Sequence, residues 1–174
     1  MNQTREIAQL GAEALRLPAE PVAEVNSTET RALITTLKAT LASTQGVGLA
    51  APQISMPQRI IIVASRPTPR YPNAPLMEPT VMINPAFIPL SEVREKDWEG
   101  CLSIPGIRAL VPRFKEIRID YTDEQGNAIR TCLQDFIARV FQHEFDHLNG
   151  LVFLDRVESN RDIFSESEYL KLFS

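Results

Sequence analysis

Apolar positions along this chain change their period several times, and each change marks an element. After Thr28, Leu33, Ile34, Leu37 and Leu41 recur at three- and four-residue spacing, which predicts a helix with one apolar face. Ser27 or Thr28 would cap it, Glu29 would sit in its first turn, and Gly46 would end it. The small residues from Gly46 to Gln53 read as a loop, and Arg59-Ile60-Ile61-Ile62-Val63 as a buried strand. Val81-Met82-Ile83 is a further strand, stopping at Asn84-Pro85. From Lys115 to Tyr121, Ile117, Ile119 and Tyr121 alternate with Arg118 and Asp120, the pattern of a half-buried strand. Asp123–Asn127 is turn chemistry, and Ala128–Leu133 should return as a hairpin partner in which Cys132 is a buried strand residue. Pro67, Pro69, Pro72, Pro75 and Pro79 prevent Arg66–Pro79 from pairing as a central strand. That stretch is a surface loop or an excursion at the sheet edge. The first 25 residues, with Pro18 and Pro21, read as an irregular arm.

The helical period returns from Gln134 to Asn149, with Gly150 placed to end the helix. Phe136, Ile137, Val140, Phe141, Phe145 and Leu148 cover most of its circumference, so this helix belongs inside a core. Short, mostly antiparallel strands around one buried central helix make an α+β fold. The 174 residues suit one domain spanning 1–174. Glu166–Ser174 is partly apolar and should dock as a short terminal element.

Composition narrows the function by exclusion. A formal net charge of −4 is wrong for a DNA-binding protein, which needs a basic face to displace counterions. No apolar run approaches the roughly 18–20 residues that span a bilayer, so no membrane partner is expected. The first residues lack the apolar stretch of an export signal, which points to the cytoplasm. In that reducing compartment Cys101 and Cys132 should be free thiols, each either buried and inert or a ligand.

The chemistry concentrates on the second helix, which carries both histidines of the protein. His143 and His147 lie four residues apart in His143-Glu144-Phe145-Asp146-His147, so their rings share a face and can share an ion. Glu144 is one step round, placed to reach a water at that ion as general base. The bland reading, two core histidines beside a solvated glutamate, accounts poorly for an apolar helix that holds both histidines and a carboxylate at the base position. Asp146 would orient a neighbour or pair with an arginine such as Arg113. A catalytic centre needs a third protein ligand and an open position. Glu158, Glu166 or Glu168 would give the pattern of a metallo-endopeptidase, and Cys101 would give a thiolate with two imidazoles. The surroundings favour Cys101, which sits in Glu99-Gly100-Cys101-Leu102-Ser103, whereas the glutamates lie on a polar tail with no helix long enough to return one to the site.

Three segments, in order, resemble the motifs of the peptide deformylase family. These are Gly46-Val47-Gly48-Leu49-Ala50-Ala51-Pro52-Gln53, Glu99-Gly100-Cys101-Leu102-Ser103 and Gln142-His143-Glu144-Phe145-Asp146-His147. The resemblance runs from about Ile7 to Asp155. It implies a metal-dependent hydrolase that removes the formyl group from N-formylmethionyl peptides and nascent chains at the ribosome, releasing formate. It further implies that Cys101, His143 and His147 bind the metal, Fe²⁺ by family habit with Zn²⁺, Ni²⁺ or Co²⁺ as substitutes, and that the protein is a monomer. Glu144 would move the proton. The Gln53 side-chain amide and the Leu102 backbone N–H would meet the negative charge that develops on the formyl oxygen. Gly46 and Gly48 would let the backbone run close to the substrate. Val47, Gly48, Trp98, Phe136 and Val140 would line the methionine pocket, with Arg139 at its rim and its charge in water. Arg108 would meet the substrate backbone or form a surface salt bridge. The Arg66–Pro79 excursion and the segment after Asp155 depart from familiar members and are expected to lie away from the chemistry. A formyl-peptide-binding module without catalysis is the reading from another class.

Overall fold

The computed structural model describes residues 4–68 and 71–173, so Pro69 of the proline-rich excursion lies outside the described residues, as does Ser174 of the terminal element. Residues 4–27 form the expected irregular arm, interrupted by one 3₁₀ turn at Glu13–Leu15. Helix α1 (Thr28–Ala42) is capped by Ser27, whose side chain accepts from the Thr30 N–H. It ends at Ser43 rather than at Gly46, because the Ser43 and Thr44 hydroxyls turn back onto the Thr40 and Leu41 carbonyls and satisfy its last turn. The expected loop from Gly46 to Gln53 contains strand β1 (Gly48–Ala50) and a 3₁₀ turn (Ala51–Ile54).

Strand β2 (Ile60–Ser65) is buried along its whole length. Strand β3 (Met77–Pro89) begins inside the proline-rich stretch and does not stop at Asn84-Pro85. A register shift between Ile83 and Ala86 absorbs the proline, and Asn84 takes a positive φ of 50° there. Its side-chain amide bonds the N–H and the carbonyl of Val22, which ties the N-terminal arm to the bulge. Up to Met77 the described part of the excursion is a loop, one of its two readings, joining the neighbouring strands β2 and β3 rather than lying at the sheet edge. Strands β4 (Arg94–Cys101) and β5 (Ile104–Phe114) were not foreshadowed by periodicity. Strands β6 (Glu116–Thr122) and β7 (Ala128–Gln134) form the expected hairpin, followed by α2 (Asp135–His147), β8 (Ile163–Ser165) and α3 (Glu166–Lys171).

The strands make two antiparallel sheets, β1-β2-β3-β6-β7 and β4-β5-β8. Alternation along β2 explains the layering. Ile60 and Ile62 pack with Leu33, Leu37 and Leu41 of α1, while Ile61 and Val63 face Ala138, Val140 and Phe141 of α2. On the far side of α2 the smaller sheet adds Ala109 and Val111, packed with Cys101 and Phe153. The fold is α+β with α2 at its centre, and nearly every α2 residue after Ile137 is buried. Cys132 is exposed, contrary to expectation, because β7 is the outer strand of its sheet and turns that face to solvent. No helix among the described residues is long and apolar enough to cross a membrane.

A candidate metal centre at the foot of a cavity

Helix α2 starts after β7 and ends where Gly150 takes a φ of 72°. A Cβ at Gly150 would come within 2.6 Å of the Arg16 carbonyl, so only glycine lets the arm cross the helix end. On the buried face of α2, the ligand atoms of His143 and His147 meet the sulfur of Cys101 from the end of β4, all within 4.8 Å of one another. The Cys101 sulfur lies 3.4 Å from His147 Nε2. His143 Nδ1 is bonded to Glu99 Oε2 at 2.9 Å, which leaves its Nε2 for an ion. One sulfur and two imidazole nitrogens, converging in a buried place, suit zinc or iron as a donor set. No downstream glutamate joins this group among the described residues.

The electrostatics of the pocket come from burial and from one ion cluster. Burial opposes a charge on Glu99, but Arg113 and the bond from His143 reverse that and hold its carboxyl well below the usual range. Arg113 spans Glu99 at 2.8 Å and Asp146 at 2.6 Å, and Arg156 closes on Asp146 from outside at 2.6 Å. Asp146 thus pairs with Arg113, as its position suggested. For His143, burial is outweighed by its bonds to Cys101 and Glu99, so its pKa rises well above the ordinary histidine value. His147 goes the other way, lowered by burial and by the charge of His143. Without an ion, one imidazole therefore keeps a proton that a metal must displace.

Glu144 is 4% exposed, and burial pushes its carboxyl up to about 7, with Glu99 adding and His143 opposing. Its Oε2 is buried with no hydrogen-bond partner among the described residues. Gly48 is what makes room for it, since a Cβ there would overlap the Glu144 carboxylate. The sequence reading tied Gly48 to the substrate, and its closest demand comes from this acid. Gln53 is buried too. Its Oε1 accepts from the Ala50 N–H at 2.8 Å, while its Nε2 lies 3.2 Å from Ser103 Oγ and 3.6 Å from Cys101 Sγ. The amide donor therefore points at the thiol.

These groups open on a cavity of about 510 Å³, a volume ordinary for a small-ligand site. Val47, Gly48, Gln53, Cys101, Leu102, Phe136, Val140, His143 and Glu144 all line it. Trp98 does not. Glu99 and Cys101 use the inward face of β4, so Trp98 falls on the other face, where its ring packs edge-on against Phe164 and Tyr169.

Other expectations are corrected nearby. Arg139 lines the cavity but keeps no charge in water. It is 7% exposed, and its guanidinium donates to Glu99 Oε1 at 3.0 Å and to the carbonyls of Val111 at 2.7 Å and Glu95 at 2.5 Å. Arg108 forms a salt bridge, as one of its two readings had it, but a buried one, and it lines the cavity. Its guanidinium occupies the space that a Gly100 side chain would fill and bonds Glu166 at 2.6 Å. Thr68 and Tyr71 from the proline-rich excursion, and Glu166 from the C-terminal segment, also line the cavity, so neither departure lies away from it. Glu99 was the residue of this site hardest to foresee. Its only signal was adjacency to the Gly100-Cys101 pair.

Comparison with known proteins follows the same lines. The polypeptide deformylase family model matches residues 4–162. Peptide deformylase 2 of Nostoc sp. is 52% identical over 166 residues, covering 95% of this chain and 93% of that protein. Peptide deformylase 1 of Nitrosomonas europaea is 42% identical, with 90% and 89% covered. Among solved structures, the Met-Ala-Ser-bound class I type b peptide deformylase from Acinetobacter baumannii superposes with a TM-score of 0.87 at 43% identity, over 90% of this chain and all of that one. An actinonin complex of the Synechococcus elongatus deformylase gives 0.79 at 34% identity, over 93% of this chain and 86% of that one. With the cavity and its thiol–imidazole group in place, these matches make the chain a member of the polypeptide deformylase family.

Proposed function

We propose that Cys101, His143 and His147 hold a divalent ion, with Glu144 as the proton carrier, in removing the formyl group from the N-terminal formylmethionine of nascent polypeptides. The reaction is a metal-dependent hydrolysis that releases formate. One observation carries the assignment of roles. Cys101 and His143, of the only cysteine–histidine–histidine group found among the described residues, line the same cavity as a buried Glu144, whose Oε2 has no partner, and an amide donor from Gln53. The Acinetobacter relative holds Met-Ala-Ser, the peptide that loss of a formyl group from formyl-Met-Ala-Ser would leave.

When bound, the ion would supply Lewis acidity, lowering the pKa of the attacking water and polarising the formyl oxygen. Glu144 takes a proton from that water and returns it to the leaving amine, a task suited to an acid raised toward neutrality. Gln53 Nε2 and the Leu102 N–H meet the charge that grows on the formyl oxygen, and one such donor is worth about 3 kcal/mol of barrier. Gly48 opens β1, which among the described residues pairs with β2 alone, so its outer backbone groups are open to a peptide, while the carbonyl of Val47 just before it is taken by the Ala64 N–H. Phe136 and Val140 supply apolar wall for the methionine side chain. The ion proposed is Fe²⁺, with Zn²⁺, Ni²⁺ or Co²⁺ able to occupy the same donor set. The same reading makes the protein a cytoplasmic monomer, one domain over 1–174, working on chains at the ribosome.

Formate release from formyl-Met-Ala-Ser, measured anaerobically with metal content, tests it. Chelation should abolish release and Fe²⁺ or Ni²⁺ should restore it. Turnover undiminished after complete metal removal would end this reading.

A further inference from the structure

The proline-rich excursion between β2 and β3 contributes a fixed aromatic wall. Tyr71 lines the cavity, and its ring centroid lies 4.6 Å from that of Phe136 at an angle of 47°. Its hydroxyl donates to the Trp98 carbonyl at 3.0 Å, and burial raises its pKa, so the phenol stays a donor. Its backbone is held as well. Tyr71 and Thr68 exchange N–H···O bonds of 3.0 and 3.1 Å, and the Ala74 N–H donates to the Tyr71 carbonyl at 3.1 Å. The ring is therefore anchored at both its ends.

Distance along α2 says what this wall faces. Counted from His143, Val140 lies about 4.5 Å and Phe136 about 10 Å along the helix axis, at roughly 1.5 Å per residue. A formylmethionyl group with its carbonyl carbon at the centre reaches roughly 6 Å to its sulfur, since about five bonds of ~1.5 Å separate them. Its terminal methyl then passes Val140 and arrives at the Phe136–Tyr71 pair. Thioether sulfur sits favourably about 5 Å from aromatic rings.

Building on the deformylase reading, we propose that Tyr71 is a specificity-determining residue of this enzyme. With Phe136 it closes the end of the methionine pocket, and its hydroxyl bond to the Trp98 carbonyl holds that end in place.

Formate release is to be compared for formyl-Met-Ala-Ser and formyl-norleucyl-Ala-Ser, which differ by sulfur against methylene, using wild type, Tyr71→Leu and Tyr71→Phe. Wild type should prefer methionine about two- to tenfold in kcat/KM. Tyr71→Leu fills space without a ring. It should bring that ratio close to one and raise KM for the methionine peptide about tenfold, with kcat within about twofold. Tyr71→Phe keeps the ring but loses the tether, so KM should rise about threefold for both peptides while their ratio persists. An unchanged ratio and KM in Tyr71→Leu would overturn the proposal, as would a loss confined to kcat. If Tyr71→Leu does not fold, Tyr71→Phe decides: a KM equal to wild type overturns it. No formate from either peptide with metal-loaded wild type would instead bring down the deformylase reading on which the proposal rests.

Discussion

Glu144 owes its position to a residue with no side chain. Gly48 leaves the space its carboxylate occupies, while the surrounding burial raises its pKa to about 7. Glu144→Gln keeps the shape and removes the base, so formate release should fall about 10²- to 10⁴-fold with metal content retained. Only the ionised carboxylate accepts a proton, and a bound cation opposes the effect of burial. The acid limb of kcat/KM should therefore lie at or below about pH 7, with activity lost as pH falls through it. A limb centred above pH 7.5 would contradict that assignment. The gathering of Cys101, His143 and His147 beside Glu144 was legible from sequence, because spacing on one helix and a thiol beside glycine limit where those residues can lie. Glu99 was not. Its role exists only once folding gathers Arg113, Arg139 and His143 around one carboxylate.

Among the elements, α2 and β6 were readable because their side chains follow a single period, and β7 because turn chemistry precedes it. Strands β4 and β5 hid from the same test. Arg94, Glu95, Lys96 and Asp97 open β4 with an exposed charged run, and β5 contains Pro105, Pro112 and two arginines that are buried by pairing rather than by being apolar. Their partners lie on other elements, so local pattern gives no sign of them. Arg139 is one link between α2 and this sheet, beside Arg113–Asp146 and His143–Glu99, reaching Glu95 and Glu99 on β4 and Val111 on β5. Arg139→Met keeps much of the stem but strips donors from a buried carboxylate and two carbonyls. Thermal or urea unfolding should show a loss of about 3 kcal/mol, and the loosened Glu99 should speed metal release to a chelator. Wild-type stability with a wild-type metal off-rate would show that the guanidinium is not a brace.

At the scale of the whole molecule, the three-stranded sheet and α2 share one buried ion cluster, which makes stability sensitive to acid. Glu99 titrates lower when folded than the usual unfolded value of about 4.3, so the folded state binds fewer protons. Its contribution is present above about pH 4.3 and is lost as pH falls through the lower folded value. Urea unfolding of the metal-free protein from pH 7 down to 3 should therefore steepen in its final stretch, and Glu99→Gln should flatten it. Equal pH slopes for both proteins would remove Glu99 as the cause.

The N-terminal arm has a consequence for the time order of assembly. Its Ala8 N–H donates to the Gln53 carbonyl, Leu10 to Ser103 and Ala19 to Leu148, and Arg16 pairs with Asp155. A ribosome makes this arm before its docking points, which follow progressively later. Cys101 must also wait for His147, 46 residues on. The arm can settle only after α2 has emerged, so closing it is a late event in folding. A copy cut short before residue 143 would carry the thiol and neither imidazole. Competence thus arrives only once His147 has been made, as one step.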